Sequence, residues 1–216
     1  MFKFFCAASV AALSATSALA VSVSPTSYSM PNGNTGSYWY FDDSYNGSGS
    51  TTTVNAPLSG GTGDLTDGVI ATQNWTVVEP PAGSPTGPYV GWSIDPTITF
   101  FFNQLTNFNS ATFHFDDSGG AGGVSPPRAV TRTGGATVAV TDPPGDVLPF
   151  AFDYDLTGVS ASQLTFTIAR SNAWVFLSEV TFDAVPTSDV PLPAGLGLIA
   201  SALAGLGLLR YRRRTA

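Results

Sequence analysis

Short alternating segments separated by glycine and proline constrain this chain more than any other feature of its sequence. Apolar residues alternate with small polar ones, as in half-buried β-strands, over residues 97–102, 110–115, 136–141 and 164–169. Further strand candidates are residues 38–41, 75–78, 129–133, 149–154 and 174–182. Turns rich in Gly and Pro separate most of them, and no amphipathic helical window precedes residue 190. The pattern predicts an all-β fold, an antiparallel two-layer β-sandwich of jelly-roll type with eight or nine strands.

The first 20 residues have the composition of a secretory signal peptide. Lys3 precedes an apolar stretch rich in alanine, and Ala18 and Ala20 are small residues at positions −3 and −1 of a cleavage site after Ala20. The single cysteine, Cys6, lies in this segment. We therefore expect an exported protein whose mature domain, residues 21–185, contains neither a disulfide nor a thiol.

An uncharged apolar run lies near the C-terminus. Residues 192–209 are 18 residues without a charge, and a helix of that length spans roughly 27 Å, enough for the hydrocarbon core of a bilayer. Arg210 and three further arginines, Arg212 to Arg214, follow it, and such clusters usually stay in the cytoplasm. The pattern predicts a linker over 186–191, a C-terminal transmembrane helix over 192–209 and a basic cytoplasmic tail over 210–216. An ordinary tail anchor and a buried core helix are the alternatives.

The start of this tail carries a short motif, which is Val190, Pro191, Leu192, Pro193 and Ala194. Motif, apolar span and arginine cluster together resemble a PEP-CTERM-type sorting signal, in the VPLPA-CTERM variant. Leu192 stands where the usual Pro-Glu-Pro motif has Glu. The resemblance implies a Gram-negative bacterium, anchoring in the inner membrane before processing, and recognition by an exosortase-type enzyme. The processed protein is then expected at the cell surface or in the extracellular biofilm matrix.

The region between the two terminal signals is strongly acidic. Residues 21–189 hold all 15 acidic residues and no lysine, against Arg128, Arg132 and Arg170, which gives a net charge of −12. This balance argues against nucleic acid and anionic membrane surfaces as partners. It suits an extracytoplasmic protein and is compatible with binding of divalent cations, although charge for solubility explains most of these carboxylates.

The stretch from Leu65 to Trp75, together with Tyr89–Trp92 and the strand Phe176–Phe182, carries a second resemblance. These segments resemble the galactose-binding-like fold, which includes discoidin domains and several carbohydrate-binding modules, over residues 60–185. The matching features are the Asp67-Gly68 turn, Thr72, Trp75 and Glu179.

The resemblance implies a structural Ca²⁺ ion that ties the first core strand to the last. The side chains of Asp67, Thr72 and Glu179 would ligate it, with Leu65 and Val69 as main-chain carbonyl ligands. Calcium takes six to eight oxygen ligands of this mixed kind. The alternative is a plain turn in which Asp67 caps its own backbone, with Glu179 solvated at a strand edge.

Catalytic signatures are weak in this sequence. His114 is the single histidine, and no Gly-x-Ser-x-Gly turn accompanies it. Glycosidase chemistry needs two carboxyl groups at a defined separation, and Glu79 and Glu179 are poor candidates because one lies beside Pro-Pro and the other is assigned a structural role. We therefore assign no catalytic residue and expect a protein that is not an enzyme, with a secreted hydrolase as the weakest alternative.

Aromatic and hydrogen-bonding side chains near predicted loops are the candidates for binding a sugar: Tyr89, Trp92, Arg128, Arg170, Asn172 and Trp174. Core packing is the alternative for Trp75, Trp92 and Trp174, while Trp39, Tyr40 and Tyr45 are candidates for decorating an N-terminal loop. Together, the features predict a non-enzymatic exported protein of the cell surface or extracellular matrix that associates with carbohydrate or exopolysaccharide. A purely structural matrix or adhesion protein without a sugar site remains the alternative.

Overall fold

The computed structural model describes residues 20–79, 87–144 and 148–186. The predicted sorting motif, transmembrane helix and basic tail lie outside these residues, as does the predicted signal peptide except for Ala20. In the described ranges, no helix is long and apolar enough to cross a membrane. The compact unit that holds the described strands ends at Val185.

The described residues form strands, one helical turn and one 3-10 turn. The strands are β1 Val21–Ser22, β2 Ser27–Pro31, β3 Asn34–Thr35, β4 Trp39–Tyr40, β5 Pro57–Gly61, β6 Val90–Trp92, β7 Thr97–Phe115, β8 Ala129–Arg132, β9 Thr137–Ala139, β10 Phe150–Ala169 and β11 Val175–Ala184. The helical turn α1 is Trp75–Val78, and the 3-10 turn is Ala121–Gly123.

Two long strands, β7 and β10, pair with each other along nearly their whole length. The sequence predicted each of them as two separate strands, and the predicted segments are the two ends of one strand in both cases. The alternation breaks in the middle because both strands bulge there. Four residues of β7, 102–105, stand opposite one residue of β10, and the β10 bulge at 156–158 includes Gly158 at φ 79°.

The other edge of β7 is shared by two strands. β2 pairs with residues 99–101 of β7, and β11 pairs with residues 108–115. β8 and β9 extend the sheet beyond β10, β5 extends it beyond β2, and β6 and β1 line the far edge of β11. Every one of these ladders is antiparallel, so the predicted all-β, antiparallel fold class is confirmed.

Phenylalanines from the inward faces of these strands form the core. The ring centroids of Phe100 and Phe182 lie 5.0 Å apart, and those of Phe113 and Phe166 lie 5.1 Å apart in an edge-on arrangement. All four side chains are fully buried or nearly so. Because β7 contributes to this core on both sides of its bulge, one strand links both halves of the sheet.

The prediction of a strand over residues 75–78 is wrong, because these residues form the helical turn α1. The main-chain N–H of Trp75 donates to Oδ1 of Asp116 over 3.2 Å, and the carbonyl of Asn74 accepts from the N–H of Val77. Asp116 lies just after β7, 41 residues away in sequence. A carboxylate brought there by the tertiary fold therefore caps this turn, which local alternation cannot reveal.

Replacing Phe166 with alanine should lower the free energy of unfolding by about 3–5 kcal/mol, the usual cost of truncating a buried phenylalanine. Denaturant unfolding followed by tryptophan fluorescence measures the change. Leu105→Ala is the control, because this side chain is 70% exposed and its loss should change stability by less than about 0.5 kcal/mol. Equal effects of the two substitutions would contradict the described core.

Candidate functional site

An acidic pocket lies between the segment after β4, the segment after β5 and the end of α1. Its volume is about 550 Å³, and its lining residues are Asp43, Ser44, Asp64, Asp67, Val69, Val78, Gly87 and Pro88. Three carboxylates therefore face one cavity. We call it the acidic pocket.

Asp42 fixes the inner wall of the acidic pocket. Its carboxylate accepts hydrogen bonds from the hydroxyl of Tyr28 and, over 3.0 Å, from the main-chain N–H of Asp64. Gly63 permits this approach, because a Cβ atom there would lie 2.2 Å from Oδ1 of Asp42. Asp64 in turn accepts from the hydroxyl of Ser44 through Oδ1, while its Oδ2 is buried without a hydrogen-bond partner. The arrangement leaves one acceptor atom of a 95% buried carboxyl unused.

Burial raises the pKa of Asp42 and of Asp64, and the negative charge of Asp42 raises the pKa of Asp64 further. Within the described ranges, the ion pairs join Asp95 to Arg128 and to Arg170, so these arginines do not neutralise the acidic pocket. The folded protein therefore holds protons on these carboxyls, or needs a cation beside them.

The Asp67 turn joins this region to the last strand. The N–H of Gly68, at φ 85°, donates to Oε2 of Glu179 over 3.0 Å, and Oδ1 of Asp67 accepts from the N–H of Val69 over 2.8 Å. The carbonyl of Leu65 accepts from the N–H of Val180 over 2.9 Å. Burial raises the pKa of Glu179 to about 7. The fold thus ties this turn to β11 although more than 100 residues separate them in sequence.

The predicted calcium ligands are placed unequally. Asp67 and Val69 line the acidic pocket, and Glu179 contacts the same turn, whereas Thr72 is exposed on the surface. Asp67 caps its own turn, as the alternative reading stated, but Glu179 is buried rather than solvated. Among the described residues, no three Asp, Glu, His or Cys side chains are arranged to hold one metal ion.

A second cavity, which we call the aromatic pocket, has a volume of about 230 Å³. It is lined by Gly36, Ser37, Tyr38, Tyr40, Trp75, Gly122, Val124, Trp174 and Phe176. None of these residues carries a charge. The helical turn α1 contributes to both pockets, since Trp75 lines this one and Val78 lines the acidic pocket.

Ring contacts hold the walls of the aromatic pocket. Tyr40 packs 4.6 Å from Phe176 between ring centroids, and Trp75 meets Tyr38 edge-on at 5.1 Å. Tyr40 and Phe176 are buried and form the back wall, while Tyr38 and Trp174 are half-buried and form the rim. The pocket therefore combines a buried aromatic wall with two accessible aromatic rings.

The loop that carries Trp174 is held by two predicted sugar-binding residues. Arg170 bonds to Asp95 over 3.1 Å and donates from Nη1 to the carbonyl of Ala173 over 2.6 Å. Asn172 donates to the hydroxyl of Ser125 over 3.2 Å. In this structure, Arg170 and Asn172 position Trp174, and only Trp174 among the predicted sugar-binding residues lines the aromatic pocket. Arg128 is exposed and lies 3.9 Å from Asp95.

Tyr89 and Trp92 need correction as sugar-binding candidates, because both side chains are fully buried. The hydroxyl of Tyr89 donates to the carbonyl of Gln73 over 3.0 Å, and the indole N–H of Trp92 donates to the carbonyl of Pro31 over 2.8 Å. Trp92, the last residue of β6, packs in the core, and Tyr89, which precedes β6, packs against Phe176 with ring centroids 6.1 Å apart. Tyr40 and Tyr45 are likewise buried rather than displayed on a loop.

The two glutamates considered for catalysis are buried, and the histidine is half-buried. Glu79 accepts the N–H of Tyr89 over 2.9 Å, and burial raises its pKa to about 8. Burial lowers the pKa of the half-buried His114.

Sequence reasoning missed Asp43 and Asp64 as members of a common site. It assigned no role to Asp43, and it considered the turn from Leu65 onward without Asp64. The available signal was the repetition of Asp within the glycine-rich stretch 60–68, at residues 64 and 67.

Comparison with known proteins supports the discoidin-type resemblance. Residues 25–119 match the family model described as "Discoidin domain-containing receptor 1/2, DS-like domain". The match covers less than half of the 216 residues. It begins upstream of residue 60, where the sequence resemblance was expected to start, and it includes the Asp67 turn and β6 but not Glu179. No curated protein matches this chain. The matched part is thus similar to a discoidin-type domain, in agreement with the antiparallel β fold.

Stability should fall as the pH rises from about 5 to about 8 in the presence of a chelator. Burial raises the pKa of Asp42 and Asp64 in the folded state above the value of about 3.9 in the unfolded chain. The folded state therefore binds more protons over this range, and its stabilisation is lost as the pH passes the raised values. Each pKa unit corresponds to about 1.4 kcal/mol. Denaturant midpoints measured across the pH range test this.

Asp64→Asn should flatten this pH dependence, because it removes a buried titrating group. Asp155→Asn, at an exposed carboxylate, is the matched control and should leave the slope unchanged. A stability that rises from pH 5 to pH 8 in the unsubstituted protein would refute the assignment.

Proposed function

We propose that this protein is an exported, non-enzymatic carbohydrate-binding protein that holds a saccharide in its aromatic pocket. The observation that supports this proposal is a cavity with an aromatic back wall and two accessible aromatic rings, Tyr38 and Trp174. A sugar ring has an apolar face that stacks on such rings and polar edges that hydrogen-bond to the rim. Ligand pockets typically combine an apolar lining with a few placed polar groups.

The similarity to a discoidin-type domain supports the same proposal, because such domains are generally ligand-binding and non-catalytic. The polar groups examined for catalysis also have other partners: Glu79 and Glu179 each accept a main-chain N–H. We therefore favour recognition over hydrolysis.

The proposed location follows from the terminal sequences. The signal peptide, with cleavage after Ala20, brings the domain out of the cytoplasm, and the tail from Val190 onward anchors it in the inner membrane until an exosortase-type enzyme processes it. The support is the motif, apolar run and arginine cluster of residues 190–216. The mature domain then acts at the cell surface or in the extracellular matrix, where exopolysaccharide is the expected partner.

We further propose that a calcium ion binds at the acidic pocket as a structural cofactor. The unused Oδ2 of Asp64 and the uncompensated carboxylates of Asp43 and Asp67 fit the oxygen chemistry of this ion. Because three carboxylates are not arranged around one point, main-chain carbonyl, hydroxyl and water oxygens must supply the remaining ligands. Val69 and Ser44, which could supply a carbonyl and a hydroxyl oxygen, line the same cavity. Bound there, calcium would neutralise buried charge and strengthen the junction between the Asp67 turn and Glu179.

A glycan array tests the main proposal. The chain from Val21 to Ala216, purified in mild detergent, should bind at least one class of neutral saccharide. Trp174→Ala should weaken that binding at least tenfold, because the rim loses an aromatic ring worth about 1.4 kcal/mol or more. Leu105→Ala, an exposed apolar residue that does not line the aromatic pocket, is the control. Absence of binding to any glycan would favour the purely structural matrix or adhesion role.

Thermal unfolding with and without a chelator tests the calcium proposal at pH 7.5. A ligand at 100 times its Kd stabilises the folded state by about 2.7 kcal/mol, so added calcium should raise Tm by several degrees. Asp67→Asn should reduce this increase, and Asp155→Asn should not. A Tm that is the same in chelator and in millimolar calcium would contradict the calcium proposal.

A further inference from the structure

We propose that the aromatic pocket recognises an acetyl group carried by a neutral sugar, either as an acetamido or as an O-acetyl substituent. The inference rests on the proposed function, since it names the class of saccharide that the pocket takes. An acetyl group combines a methyl, which suits an aromatic wall, with one carbonyl oxygen that accepts a hydrogen bond.

The first argument is an unused donor at the pocket. Trp75 is only 8% exposed and lines the cavity, yet its indole Nε1–H is buried without an acceptor. Leaving a buried donor unsatisfied costs about 1–3 kcal/mol. A ligand that brings a carbonyl oxygen to this N–H removes the cost, whereas a purely apolar ligand does not.

The position of Trp75 is fixed, so its donor belongs to the pocket wall. Its main-chain N–H donates to Asp116, and the six-membered ring of its indole lies against Gly122, another residue of the pocket. A Cβ atom on Gly122 would lie 2.6 Å from Cζ2 and 3.7 Å from Cε2 of this ring. Gly122 has φ 60°, a conformation that glycine adopts without strain. The glycine therefore leaves the space that the indole of Trp75 occupies at the pocket wall.

The remaining walls select against charge. The described lining residues carry no ionic group, and the aromatic rings of Tyr40 and Phe176 form the buried side. A carboxylate or an ammonium placed there would lose its hydration without gaining a counter-charge. Aromatic rings do attract cations, but the N–H of Trp75 presents its positive end to the ligand and opposes one. The chemistry therefore favours an uncharged group.

The number of polar groups distinguishes an acetyl group from a bare hexose ring. A buried hexose brings several hydroxyls, and each needs a partner. The cavity, at about 230 Å³, is below the roughly 300–1,000 Å³ that accommodates drug-sized ligands. An acetyl group entering first uses the single unused donor, while the sugar ring to which it is attached remains at the rim beside Tyr38 and Trp174.

Calorimetric titration with matched tetrasaccharides tests the proposal on the chain from Val21 to Ala216. The ligands are β-1,4-linked tetramers of N-acetylglucosamine, glucosamine and glucose, and an O-acetylated glucose tetramer. We expect an acetylated tetramer to bind at least tenfold more tightly than both unacetylated tetramers. The glucosamine tetramer is a demanding control, because its positive charge attracts the acidic protein in general. Tighter binding of the N-acetylated or of the O-acetylated tetramer identifies the source of the acetyl group.

Trp75→Phe removes the N–H and keeps an aromatic ring, so it should abolish the preference for acetylated over unacetylated glucose tetramers. Trp174→Phe changes only the rim and should weaken all tetramers by a similar factor, leaving the preference intact; it keeps the test informative if Trp75→Phe does not fold. Equal binding of the glucose and acetylated tetramers, or a preference retained by a folded Trp75→Phe protein, overturns the inference and leaves carbohydrate binding standing. Failure of every saccharide on both this set and the glycan array overturns both proposals.

Discussion

The antiparallel pairing of β7 with β10 is the interaction on which the rest of the structure depends. Each long strand contributes residues to the core on both sides of its bulge, and β7 carries β2 and β11 on its other edge. The end of β7 delivers Asp116, which caps the turn of Trp75, and β11 delivers Glu179, which binds the Asp67 turn. The positions of both pockets thus depend on β7, which β10 holds in the sheet along nearly its whole length.

The two pockets differ in the chemistry of their linings, because one contains carboxylates and the other contains aromatic rings. At the acidic pocket, Asp42 and Asp64 share hydrogen bonds with Tyr28 and Ser44, but the lining lacks a compensating positive charge within the described residues. At the aromatic pocket the lining is uncharged, and the unsatisfied group is a single N–H donor. The first pocket is suited to a cation that supports the fold, and the second is suited to a neutral ligand. The segment 38–44 and α1 contribute to both pockets, so a change at one pocket is expected to affect the walls of the other.

Sequence reasoning was most successful where a property depends on neighbouring residues. Alternation along β7 and β10 predicted the strand segments, and the Asp67-Gly68 turn was recognised together with Glu179 on the last strand. It failed where distant residues decide the outcome. The strand predicted at 75–78 is a helical turn because of Asp116. Tyr89 and Trp92 are buried because residues distant in sequence, Phe176 and Pro31, contact them. Asp43 and Asp64 line one cavity because the tertiary fold brings their two segments together.

The sequence by itself determined the all-β class and the negative charge of the domain, because these are set by composition and by short-range periodicity. The tertiary structure alone decided which carboxylates are buried together and which aromatic rings enclose a cavity. The physical reason is that side-chain alternation specifies the face of a strand, whereas bulges and strand order determine which faces meet. Trp174 lies at a pocket rim and Trp92 in the core for that reason, although both tryptophans looked alike in the sequence.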